Sequence, residues 1–217
     1  MDELIRNLAV YALPVLFAIT MHNAAQAYAA KYFGDMTPFA AGRVTTNPLA
    51  HIDPFGTVIL PIMLYLVSGF AFGYAKPLPI DYSRLRNPKR DMAFVALAGT
   101  AANFGMALLW LLLGIFLEYF GVSEPFPNRV AKAGVLTNLV LLAFNLLPIP
   151  PMDGGRIVFS LLPNKLAYKY AKIEPYGFFI LLGLMLLKLL AYWVVPIMAV
   201  ANLLLQVIVY PLNFVLG

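Results

Sequence analysis

The chain has no cysteine. That absence excludes disulfides, thiolate metal ligands and cysteine nucleophiles together, so any metal must use His, Asp, Glu, amide oxygen or water. Charge is scarce as well. Only 12% of the 217 residues are Asp, Glu, Lys or Arg, against about 25% in an average soluble domain. No cleavable signal pattern is present, because the first apolar run contains His22 and Asn23 and lacks a small-residue cleavage site. That run is therefore expected to stay as a spanning helix. There is no internal repeat and no low-complexity tract. What remains is apolar. With 62% hydrophobic residues and a mean hydropathy of +0.81, the composition predicts a polytopic membrane protein. The length suits one membrane-embedded domain over residues 1–217 and leaves no room for a sizeable soluble one. The net charge of +5 reads as a topology signal, because the basic residues gather at membrane boundaries. That distribution points to a lipid bilayer as partner and away from nucleic acid.

Apolar runs at 4–32, 92–120, 132–147, 176–194 and 197–216 predict five spanning helices, the last two forming a hairpin split at Pro196. A sixth run, 55–72, is near the minimum length for a span and is interrupted by Pro61 and Gly69. If it spans, His22 and Asp153 approach the membrane from opposite faces. If it re-enters, both face the same side. Basic residues favour re-entry, since Lys31, Arg43, Lys76, Arg86 and Lys169 then share a face, whereas Arg6, Arg129 and Lys132 lie on the other. The expected fold is thus an all-α polytopic membrane bundle of five to six transmembrane helices, with a re-entrant loop or β segment at about 36–77. The N-terminus is outside and the motif face is cytoplasmic. The bilayer expected for such a chain is a bacterial or archaeal inner membrane.

The most informative residue is Asp153, in Pro148-Ile149-Pro150-Pro151-Met152-Asp153-Gly154-Gly155-Arg156, at the end of an apolar run. A carboxylate at a membrane boundary is costly. Prolines fix the backbone before it and glycines permit close approach after it, so the segment presents one side chain rigidly. Its counterpart is His22-Asn23-Ala24-Ala25-Gln26. In a helix, positions 22 and 26 share a face one turn apart. Zinc metalloproteases carry H-E-x-x-H in this arrangement, two imidazoles for the metal and a Glu as general base for its water. Taken alone, H-N-x-x-Q is equally a pair of polar residues satisfied by hydrogen bonds between helices.

The wider context is more specific. HNAAQAYAAKYFGD at 22–35, AGRVTTNPLAHIDP at 41–54, FGYAKP at 72–77, LRNPKRD at 85–91, AGTAAN at 98–103 and FNLLP at 144–148, followed by Asp153-Gly154, closely resemble the site-2 protease family of intramembrane zinc metalloproteases. The resemblance runs in order over about 4–177. It implies that His22 and Asp153 stand at zinc-ligand positions, with Gln26 in place of the second histidine and Asn23 in place of the catalytic base. It also implies that Asn103 and Asn145 lie near the active site, where amides could hold an unwound substrate backbone or a developing oxyanion. Read without it, Asn103, Asn138 and Asn145 are interhelical hydrogen-bonding residues.

Both departures weaken the chemistry. An Asn amide has no useful basicity near neutral pH, and a Gln carbonyl is a neutral oxygen where zinc favours imidazole, thiolate or carboxylate. The expectation is a pseudoprotease or an inactivated variant that keeps the scaffold, binds transmembrane helices of client proteins and holds zinc weakly if at all. His51, the other histidine, is expected to hydrogen-bond within the re-entrant loop, with a replacement-ligand role as the alternative. Arg84, Arg86, Lys89 and Arg90 read as an anchor near anionic headgroups. Rival classes are a small transporter or channel and a structural membrane subunit. Against transport, intramembrane charge is nearly absent apart from Lys188, and no broken-helix pair repeats in two halves.

Overall fold

The computed structural model describes residues 2–59, 63 and 76–216, and among these there is no β-strand. The first helix, α1 (Asp2–Phe33), runs 32 residues, about 48 Å at 1.5 Å per residue. It ends where Gly34 takes a φ of +113°, with Asp35 N–H donating to Ala30 O at 2.9 Å and Gly34 N–H to Lys31 O at 3.2 Å. This is the Schellman arrangement, which glycine permits because no Cβ opposes the left-handed backbone. A short α2 (Thr37–Ala40), a 3-10 turn (Pro48–Ala50), a π-helical turn (Pro54–Ile59) and a second 3-10 turn (Tyr82–Arg84) lead to α3 (Pro88–Tyr119). Helix α4 (Pro125–Asn145) follows, then α5 (Asp153–Leu161), α6 (Asn164–Ala171), α7 (Gly177–Leu186) and α8 (Leu190–Leu216).

Helices α1, α3 and α4 form a mutually packed core, with α3 antiparallel to both α1 and α4. At one end Val10, Trp110, Val130 and Ala133 pack together. At the other, Ala30 and Val95 close on Leu85. The functional residues lie between these apolar plugs. Helix α8 covers α3 and α4, seating Ala201 and Leu205 against Ala107, Leu139 and Leu142. Its Trp193 indole N–H donates to Ala143 O at 3.1 Å. Among the described residues three helices are long and apolar enough to cross a membrane, at Arg6–Phe33, Pro88–Tyr119 and Leu190–Leu212. Helix α4 also has 21 residues, but Arg129, Lys132 and Asn138 make it more polar, as suits a helix enclosed by others.

The last two helices depart from the expected hairpin. Pro196 lies inside α8, and the break comes at Leu187–Leu189, where Lys188 adopts a φ of +59°. Lys188 N–H donates to Met185 O and Leu189 N–H to Leu184 O, at 2.9 and 2.8 Å, a second Schellman cap. Proline is tolerated inside an apolar membrane helix, so Pro196 does not end α8. Helix α7 has ten residues, or about 15 Å, half the thickness of a hydrocarbon layer.

Most of the apolar run 55–72 lies outside the described residues, but its flanks are informative. Lys76 N–H donates to His51 O at 3.2 Å. Buried Arg43 donates to Ala50 O and also to Lys76 O at 2.8 Å and Pro77 O at 3.2 Å. The chain between 51 and 76 thus leaves and returns at one place. Asp35, fully buried, accepts N–H bonds from Thr37 (2.9 Å) and Asp81 (2.8 Å), tying the end of α1 to the far flank of this excursion.

Candidate metal centre

Helical geometry puts His22 and Gln26 on one face of α1, one turn apart, where they meet α3 and the first turn of α5. The turn after α4, with a cis Pro150–Pro151 bond, delivers Asp153 as the first residue of α5. Gly154 is required there, because a Cβ on it would lie 2.1 Å from Leu146 O. His22, Gln26 and Asp153 are all buried. The Gln26 amide N–H donates to Asp153 Oδ1 at 2.8 Å, and the same nitrogen is 3.2 Å from His22 Nε2. Asp153 Oδ2 sits 3.1 Å from His22 Nε2 without a directed hydrogen bond.

Behind His22 the bonds have a fixed direction. Asn138 Nδ2 donates to Gly134 O at 2.8 Å, which leaves its Oδ1 to accept from Asn103 Nδ2 at 3.1 Å. Asn103 Nδ2 also donates to Ala18 O at 3.2 Å. Asn103 Oδ1 therefore faces His22 Nδ1 at 2.6 Å and accepts its proton. Because the two backbone carbonyls can only accept, the whole chain of amides is oriented, and the neutral ring keeps its lone pair on Nε2, toward Gln26 and Asp153.

Asn103 is thus fully buried and committed to orienting His22. Asn145, half-buried at the C-terminal end of α4, takes no part in this network. Asn23 has a buried Nδ2 with no hydrogen-bond partner. His51 is fully buried, with Nε2–H donating to Thr45 O at 2.8 Å and Nδ1 unpartnered. Burial lowers its pKa, and the nearby Arg43 charge adds to this against the opposing Thr45 bond. Its contacts are with its own loop.

Gly99 was not singled out by sequence reasoning. It lies one turn before Asn103 on α3, and a Cβ there would lie 2.7 Å from His22 Cε1 and Nε2 and 2.8 Å from Gln26 Nε2. A glycine inside an apolar helix is a signal of close approach that could have found it.

The profile of Peptidase family M50 matches residues 126–188. "Putative zinc metalloprotease YwhC" of Bacillus subtilis is 34% identical over 191 residues, 86% of this chain and 84% of that protein. The chain belongs to peptidase family M50, the site-2 protease family. "Putative zinc metalloprotease Rip2" of Mycolicibacterium smegmatis is 30% identical over 82% of this chain and 67% of its own length. "Zinc metalloprotease MJ0392" of Methanocaldococcus jannaschii is 32% identical over 37% of this chain and 23% of its own length. No solved structure matches the chain.

The M50 family implies zinc, but this centre does not fit the ion. Only His22 Nε2 and the Asp153 carboxylate are conventional ligands. The third position presents N–H donors, which repel a cation, to the space those ligands face. Asp153 Oδ2, 3.1 Å from His22 Nε2, is left without a donor. Among the described residues no group of three or more His, Cys, Asp and Glu side chains is placed to hold a metal.

Proposed function

We propose that this M50-family chain is a membrane scaffold that binds transmembrane segments of client proteins without hydrolysing them. The observation that carries the reading is Asn23-Ala24-Ala25-Gln26 after His22. At position 23 an amide stands where hydrolysis needs a carboxylate base, and at position 26 an amide N–H faces the two remaining ligand positions. General-base assistance is worth about 10²–10⁴-fold, and a neutral amide supplies none of it.

The scaffold around the altered residues is intact. Asn103 still orients His22, and the turn at 148–152 still presents Asp153. In this reading Asn145, beside that turn, holds an unwound stretch of the client backbone, and the motif face is cytoplasmic. The paired flanks at His51 and Lys76 support that topology, since a chain that returns to its starting point makes no net crossing. The test is photo-crosslinking from position 145 to a synthetic transmembrane helix in nanodiscs, followed by intact-mass analysis. Crosslinked, full-length helix is expected. Cleaved helix, or no crosslink above that of an unrelated membrane protein, would overturn the proposal.

A further inference from the structure

The Gln26 amide does more than fill the place of a lost ligand. We propose that its NH₂ group is the resident cross-link of this centre, joining His22 on α1 to Asp153 on α5 where an ion would otherwise bridge them, so that the two helices are held together here without metal. One amide proton is directed at Asp153 Oδ1 at 2.8 Å and the other at His22 Nε2 at 3.2 Å. Both acceptors are fixed independently of Gln26. The amide chain ending on Gly134 O and Ala18 O turns the His22 lone pair inward, and the proline-rich turn aims the carboxylate. Gly99 completes the fit, since its missing Cβ is the space that brings α3 against both side chains. A buried carboxylate without donors is costly, and the amide supplies one to Oδ1 while Oδ2 has none.

The inference shares its centre with the client-binding reading but is tested separately, because neither client nor cleavage enters the measurement. Purified protein in detergent is melted with chelator, with added zinc, and untreated, and its metal content is measured. The same is done for Gln26→Glu, which keeps the shape but replaces the donor with an acceptor against Asp153. The native chain should show one Tm in all three conditions. Gln26→Glu should melt roughly 5–10 °C lower in chelator and recover on zinc addition, because His22, Glu and Asp153 then form an ordinary zinc donor set.

Should that variant fail to fold, ¹⁵N NMR of histidine in the native protein decides. The two rings should be opposite tautomers, His22 protonated on Nδ1 and His51 on Nε2, with neither signal moved by zinc. Stoichiometric metal in the native chain, a Tm lowered by chelator, a Gln26→Glu variant as stable as the native chain in chelator, or two Nε2-protonated rings would each overturn the proposal.

Discussion

Substituting Gly99 by alanine adds one methyl group at the tightest point of the centre. The new Cβ would lie 2.7 Å from His22 Cε1 and Nε2 and 2.8 Å from Gln26 Nε2, well inside ordinary van der Waals contact at about 3.5 Å. Neither ring nor amide can step back cheaply. His22 is held behind by Asn103 at 2.6 Å, and Gln26 by Asp153 at 2.8 Å. Overpacking of this kind costs about 1–3 kcal/mol, and loosening the Gln26–His22 bond adds about 1 kcal/mol. At about 2–4 °C per kcal/mol for a chain of this size, the melting temperature should fall by roughly 5–15 °C. Gly105 on the same helix is the control, because a Cβ there meets nothing within 4 Å. Gly105→Ala should be neutral or stabilising by about 0.5–1 kcal/mol through helix propensity. Thermal unfolding of both variants in detergent reads the difference. If Gly99→Ala is as stable as Gly105→Ala, the close packing of α3 on α1 is wrong.

Other consequences concern the buried polar groups. Asn103→Leu keeps the volume but removes the acceptor for His22 Nδ1–H and the donor to Ala18 O and Asn138 Oδ1; it should cost about 3–5 kcal/mol and destroy the opposite-tautomer ¹⁵N signature. Arg43→Met removes the bridge from Ala50 O to Lys76 O and Pro77 O, so limited proteolysis should cut between 44 and 80 faster than in the native chain while α3 and α4 stay protected. The His51 pKa is lowered by burial, so in the window below its unfolded value of about 6.5 the unfolded chain binds more protons than the folded one. The stability from neutral His51 should therefore be complete above that value and decline as pH falls, and Tm against pH for the native chain and His51→Gln should diverge above pH 6.5 and converge on acidification.

The sequence carried the centre further than it carried the helices around it. His22 and Gln26 at helical spacing and Asp153 in a Pro/Gly-rich turn are local signals, and the three meet in the fold because each is specified by its own few neighbours. Long apolar runs marked α1, α3 and α8 for the same reason. The helix break at Lys188 was missed because no glycine or proline announces it and Pro196 offered a false stop. A left-handed lysine costs about 1–2 kcal/mol, set here against the two cap hydrogen bonds from Lys188 and Leu189 N–H. The direction of the Asn138–Asn103–His22 chain was also out of reach. It depends on which carbonyls of α1 and α4 lie opposite each amide, and composition says nothing of that.

The claim that this M50 centre does not hydrolyse is tested most directly by one side-by-side assay in nanodiscs. Zinc content and cleavage of a transmembrane reporter are measured for the native chain and for the double variant Asn23→Glu with Gln26→His. The native chain should carry no stoichiometric zinc and leave the reporter whole, whereas the double variant, with base and imidazole restored, should gain both metal and cleavage. Stoichiometric zinc in the native chain together with reporter cleavage that His22→Ala abolishes would contradict it.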